Sequence, residues 1–183
     1  MAVLAGGMVQ ALLDRYGPRI WAFFGMLIVF QLGATFDAAS RTPPGFTTQF
    51  DPVTQIDHSH LDDLIAFLDA HGEKRGYTNY WVSYPLAFLS SESLIFTPRL
   101  PYHTDFRYTE RDNRYDPYNP LVEESDRVSY ITTFHPDLDA RLREGFTDLG
   151  VTWMEAVIGD YQIFYQLSRP VRPEELGLGV STP

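Results

Sequence analysis

A single uninterrupted apolar run, Ile20–Phe36, constrains this chain more than any other feature. A helix apolar all round must be surrounded by lipid or by other apolar protein. The run, IWAFFGMLIVFQLGATF, carries no charge, and Gln31 and Thr35 are its only strongly polar side chains. At ~1.5 Å per residue it reaches about 25 Å, near the lower limit for crossing a bilayer core. Arg15 and Arg19 precede it, Asp37 follows it, and Trp21 stands where an interfacial aromatic would. That order favours a cytoplasmic N-terminus, with the remainder of the chain outside the membrane. A cleaved signal peptide fits less well, because a long stretch precedes the run and TFDAAS is a poor small-residue cleavage site. A buried core helix is the third reading, and it would need apolar neighbours on all sides. The leading MAVLAGGMVQALL is apolar but too short to span. It suits an interfacial helix, or the remnant of a preceding transmembrane helix in a longer parent protein.

The sequence therefore divides into a cytoplasmic or interfacial segment (1–19), a transmembrane helix (20–36), a linker (37–56), an extracytoplasmic domain (57–169) and a surface tail (170–183). The formal net charge of −10 leaves no basic stripe to neutralise phosphates, so nucleic acid is not an expected partner. Positive charge is almost all arginine, Lys74 being the one lysine, and arginine suits bidentate contacts to phosphate or carboxylate. The absence of cysteine excludes disulfides, thiol catalysis and Cys-based metal sites.

Pro43, Pro44, Gly45 and Pro52 break regular structure in the linker. The next segment predicts a helix, with Ser59 as N-cap, Asp62 completing a capping-box-like pair, Leu61, Leu64, Ile65 and Leu68 as its apolar stripe, and Gly72 as its end. YTNYWVSYPLAFLS reads as a short strand near Tyr77–Tyr80 and a helix from about Ser83, with Pro85 in its tolerant first turn. Leu94–Thr97 is a brief buried strand. Residues 98–124 show no clear period and carry prolines at 98, 101, 117 and 120, the signature of a long functional or disordered loop. Val128–Thr133 is β-rich. His135-Pro136-Asp137 opens a helix with apolar positions Leu138, Leu142, Phe146 and Leu149, stopped by Gly150. Val151–Ile158 and Tyr161–Ser168, joined by Gly159-Asp160, predict a C-terminal β-hairpin. The expected fold is α/β: an N-terminal transmembrane helix, then a small mixed-sheet domain with helices packed on the sheet.

Few motifs carry chemistry. Asp57-His58-Ser59-His60 with Asp62 and Asp63 has metal-site composition, but histidines at i and i+2 share no helical face, so helix capping explains it better and no metal is expected. Ser90, Ser91 and Ser93 lack a nucleophile elbow, and no phosphate-cradling glycine loop or cofactor motif occurs. A hydrolase site around Glu92 and His103 would need a concave pocket holding a shifted carboxylate. The stronger signal is aromatic. Tyr80, Trp81 and Tyr84 open a Tyr-rich stretch in which Arg99, Arg107, Arg111 and Arg114 interleave with Tyr102, Tyr108, Tyr115 and Tyr118. Guanidinium groups beside aromatic edges can hold a phosphate by paired hydrogen bonds while the rings pack on an attached sugar. The bland alternative is internal pairing with Asp105, Glu110, Asp112 and Asp116. The candidate ligand-binding set is Tyr80, Trp81, Tyr84, Arg99, Tyr102, Arg107, Tyr108, Arg114 and Tyr115, with no catalytic residue assigned.

GYTNYWVSYPLAFLSSESLIF, the Tyr/Arg loop, VSYITT and GDYQIFYQLSRPVRPEELGLG, following an amphipathic helix ending in HG, form a pattern over Gly45–Gly179. It resembles the C-terminal extracytoplasmic region of multi-spanning bacterial glycosyltransferases, relatives of the protein mannosyltransferases that use polyprenyl-phosphate-linked sugars. The most specific part is YWVSYPLAFLSSE, with Tyr80, Trp81, Tyr84, Leu86, Phe88, Ser90 and Glu92. The resemblance implies a membrane-anchored cap that helps dock an acceptor or the phosphate–sugar headgroup of a lipid-linked donor. Its implied partners are the bilayer, the lipid-phosphate sugar and a multi-spanning membrane protein. Such enzymes keep their catalytic acid in an early loop that this sequence lacks, so the chain is not expected to be catalytic alone. An assembly module that packs on a multi-spanning partner and binds no ligand is the alternative.

Overall fold

A computed structural model describes residues 14–17, 19–41 and 56–179. The chain divides into two units, Met1–Pro43 and Pro44–Pro183. In the first, helix α1 (Arg19–Arg41) extends the apolar run by more than a turn beyond Phe36. The residues expected to begin the linker are thus helical. Asp37 and Arg41 close an ion pair of 2.8 Å one turn apart, and the Ser40 hydroxyl donates to the Asp37 carbonyl. Trp21–Arg41 is long and apolar enough to cross a membrane, at roughly 30 Å of helix. None of its apolar window is buried among the described residues. The apolar N-terminal thirteen residues and most of the proline-rich linker lie outside the described residues.

The second unit is an α/β domain around a mixed five-stranded sheet of order β2-β1-β3-β5-β4. Its strands are β1 (Arg75–Tyr77), β2 (Ile95–Thr97), β3 (Ser129–Thr133), β4 (Met154–Ile158) and β5 (Tyr161–Tyr165). β1 runs parallel to both β2 and β3, whereas β5 pairs antiparallel with β3 and β4. Ile158 faces Tyr161 across Gly159-Asp160, leaving β4 as an edge strand. The helices are α2 (Leu61–His71), α3 (Tyr80–Leu89), α4 (Tyr118–Glu123) and α5 (Pro136–Asp148). Alternation along the strands sends side chains into two cores. Phe96, Ile131 and Ile163 pack with Leu61, Leu64 and Leu68 of α2 and Val82 and Leu86 of α3. Tyr77, Tyr130 and Phe164 pack with Val122 of α4 and Leu138, Leu142 and Phe146 of α5.

Several local expectations are corrected. Ser59 does not cap α2; it lies in a 3-10 turn, His58–His60, where Asp57 accepts from the Ser59 backbone N–H at 2.9 Å. His60 precedes α2 without a side-chain cap, and the predicted Ser59–Asp62 pairing is absent among the described contacts. β1 ends at Tyr77, and α3 starts at Tyr80, not Ser83, because Asn79 supplies a cap that the apolar pattern concealed. Pro85 consequently lies inside α3, where it cannot donate to the carbonyl four residues earlier. Residues 98–124 contain a 3-10 turn (Glu110–Asp112) as well as α4. The surface tail is also overturned: Val171, Leu176 and Leu178 are buried in the core, around a further 3-10 turn, Pro173–Leu176.

Candidate aromatic groove and adjoining polar cavity

The carboxyl ends of the parallel strands organise the candidate site, as is usual in open α/β sheets. β1 delivers Thr78-Asn79 directly into α3, and β2 delivers Arg99 into the long loop. Three buried side chains fix this exit. Thr78 Oγ1 donates to the Ile131 carbonyl at 2.8 Å, Ser83 Oγ to the Phe96 carbonyl at 2.6 Å, and Asn79 Nδ2 to Thr133 Oγ1 at 2.8 Å. Asn79 Oδ1 meanwhile accepts from the backbone N–H groups of Trp81 and Val82, at 3.0 and 3.3 Å. An Asn at the N-cap satisfies donors that a helix start otherwise leaves orphaned.

So anchored, α3 presents Tyr80, Trp81, Tyr84, Pro85 and Phe88 along an open, mostly apolar groove of about 420 Å³. Tyr80 meets Trp81 and Tyr84 edge to face at 5.0 and 5.5 Å, and Trp81 faces Tyr102 at 6.3 Å. The Arg114 guanidinium lies 4.8 Å from the centre of the Tyr80 ring, in cation–π range. The Tyr84 hydroxyl ties the loop to the helix: it donates to the Asp112 carbonyl at 3.1 Å and accepts from the Arg114 backbone N–H at 2.6 Å. Burial pushes the Tyr84 and Tyr102 phenols above their ordinary range, so both stay protonated donors at neutral pH. Burial also raises the Asp112 carboxyl, against the opposing charges of Arg111 and Arg114. The charges of Arg107 and Arg111 partly offset the rise at Tyr102.

The nine candidate residues are not one site. Tyr80, Trp81, Tyr84, Tyr102 and Arg114 come together at the groove. Arg99 and Tyr108 instead stack on each other at 5.6 Å and line a separate, polar cavity of about 450 Å³. Arg99 forms an ion pair with Glu174, so one of the four loop arginines is consumed by internal pairing. Tyr115 packs edge to face on Tyr118 at 4.7 Å and is half exposed. Arg107 is exposed, with its backbone N–H on Asp105 Oδ1 at 3.1 Å.

Glu92 accepts a 3.0 Å hydrogen bond from the Tyr118 hydroxyl, which burial, followed by Glu92 itself, pushes up to about 12. The His103 carbonyl accepts from His135 Nε2 at 2.9 Å. Neither Glu92 nor His103 lines the groove or the polar cavity. Among the described residues, no group of three or more His, Asp and Glu side chains is placed to hold a metal ion. His58 Nδ1 lies 3.1 Å from the Tyr161 hydroxyl, while His60 faces Asp63 at 3.3 Å.

Sequence reasoning missed Pro85 and Phe88 as groove residues, because starting α3 too late hid that Tyr80, Tyr84 and Phe88 share one face at four-residue spacing. It also missed Asn113, Asp116, Asn119 and Glu174 at the polar cavity. For Glu174 a signal existed: Pro173-Glu-Glu-Leu-Gly177 has Pro at the first helical position and Gly just past the last. Comparison of the chain with protein-family models, curated proteins and solved structures finds no match to any of them.

Proposed function

We propose that this protein is a membrane-tethered binding domain, the extracytoplasmic cap of a glycosyltransferase-like system, and that its aromatic groove docks the phosphate–sugar headgroup of a lipid-linked donor. The observation that carries this reading is the Arg114 guanidinium held over Tyr80 at the rim of an open aromatic groove. A sugar ring suits the faces of Tyr80, Trp81 and Tyr84 through its C–H surface. The linking phosphate suits the Arg114 guanidinium beside them, which can offer paired N–H donors. Tethering favours such a site energetically. A headgroup confined to the bilayer surface meets an anchored domain at high effective concentration, so the groove needs little intrinsic affinity. Arg15 and Arg19 before the apolar helix favour the domain's placement outside the cytoplasm. No group in the groove is assigned a catalytic role.

The test uses the full chain in lipid nanodiscs, probed with polyprenyl-phosphate mannose and with polyprenyl phosphate lacking sugar. Replacing Arg114 by Ala should weaken both probes by about tenfold or more, since a lost charge-assisted bond is worth ~1.5–3 kcal/mol. Unchanged affinity with an intact circular dichroism spectrum overturns the reading. A second reading, an assembly module, is favoured by Phe88, which is 81% exposed at the end of the groove. It predicts no affinity for either probe.

A further inference from the structure

We infer that the polar cavity beneath the 110–116 loop is a second binding site, built for a neutral polyhydroxylated ligand of the pyranoside class. The assignment does not depend on what occupies the aromatic groove. The loop separates the two: Arg114 sits over Tyr80 of the groove, while its neighbour Asn113 lines the cavity. Tyr84 clamps the backbone between them. Perturbing one side therefore leaves the contacts of the other in place.

Three residues that line this cavity each carry a buried polar atom with no hydrogen-bond partner: Arg99 Nε, Asn113 Oδ1 and Asn119 Oδ1. Buried polar atoms are nearly always satisfied, and leaving one unpaired costs about 1–3 kcal/mol. Three on the wall residues of one cavity are groups that a ligand seated there satisfies once those side chains turn toward it. They combine one fixed donor with two amide groups, and an amide accepts through its oxygen and donates through its nitrogen. Asp116 and Glu174 add acceptors at the wall, and Tyr108 adds an aromatic face. A hydroxyl both donates and accepts, so vicinal hydroxyls on a sugar ring match a wall that mixes the two roles.

Charge excludes the competing ligand classes. Arg99 is neutralised by Glu174, and Glu110 and Asp116 leave the cavity net negative, which opposes phosphate, sulfate or carboxylate. A metal ion would have to share the space with the Arg99 guanidinium, and no suitable cluster of ligands occurs among the described residues. The volume, about 450 Å³, lies within the ~300–1,000 Å³ range of small-molecule sites. Gly179 keeps the cavity open at its most informative point. It adopts φ +68°, and a Cβ there would stand 3.3 Å from Arg99 Nε and 3.1 Å from the Arg99 carbonyl. Any side chain would crowd the unpaired donor.

The experiment is saturation-transfer difference NMR on the full chain, held in a detergent without a sugar headgroup. The probes are the methyl α-glycosides of mannose, glucose and galactose at up to about 50 mM, a range that captures dissociation constants near ~1–10 mM. At least one glycoside should receive saturation from the protein. Asn119→Leu, which removes an unpaired amide oxygen, should weaken it by about tenfold or more, and the isosteric Asp116→Asn by about threefold or more. Asp62→Asn, at an exposed position of α2 outside both sites, should leave it within about twofold. No transfer to any glycoside, or equal binding by folded Asn119→Leu, overturns the assignment. So does displacement of the glycoside by calcium chloride or inorganic phosphate, which would identify an ionic site. Loss of glycoside binding in Arg114→Ala with retention in Asn119→Leu would assign the sugar to the groove alone.

Discussion

Asn79 links the fold to the groove, and its replacement by Ala tests whether that link is physical. Three hydrogen bonds disappear at once: two to the N–H groups that open α3, and one to Thr133 Oγ1, with Asn79 and Thr133 both buried. Loss of an N-cap costs ~0.5–2 kcal/mol. Leaving the Thr133 hydroxyl without its donor in a buried site adds about 1–2 kcal/mol. The expected destabilisation is roughly 2–4 kcal/mol, or a fall of about 5–15 °C in Tm for a domain of this size. Asn79→Asp should be milder, at about 1 kcal/mol or less. A carboxylate keeps both cap bonds, gains from the helix dipole, and can accept from a Thr133 hydroxyl turned toward it. Urea denaturation of the full chain in detergent micelles, followed by near-ultraviolet circular dichroism, measures both variants. Ala costing less than about 0.5 kcal/mol, or Asp costing as much as Ala, would refute the cap as the anchor of the groove.

Two further outcomes concern the sheet and its acid sensitivity. Gly76→Ala should destabilise the domain by about 3 kcal/mol or more in the same denaturation assay, because overpacking against rigid neighbours is costly. A Cβ there would lie 2.1 Å from the Ser129 carbonyl oxygen and 2.5 Å from the Phe96 ring, and a variant melting near the parent would contradict this. Burial lowers the His58 pKa, against the opposing pull of Asp57 and Asp160. The unfolded chain then takes up this proton first, so His58 makes the fold lose stability as pH falls below about 6.5, and makes no contribution above that value. His58→Asn should flatten the fall in Tm between about pH 7 and pH 5, and an unchanged slope would remove His58 as its cause.

Local chemistry made much of this protein legible without coordinates. The charge-free run predicted a helix without a polar stripe, and α1 is a helix long and apolar enough to cross a membrane. Leu61, Leu64 and Leu68, then Leu138, Leu142 and Phe146, fixed the buried faces of α2 and α5 through spacing alone. The mixed α/β character followed from the order of these elements. Other features depended on contacts between residues distant in sequence. Asn79 is a favoured cap residue by type, but the apolar pattern hid the helix start, and Thr133, from another strand, holds its amide in the capping orientation. The tail from Pro170 looked like surface because its value lies in three apolar side chains that fit a core built by earlier elements. The Tyr/Arg stretch read as one surface, yet the Tyr84 hydroxyl folds it so that Arg114 faces an aromatic groove and Asn113 a polar cavity. Sequence fixes which chemistry is available on a loop, because composition is local. Which side chains share a site depends on backbone direction, and that is set only when distant strands and helices meet.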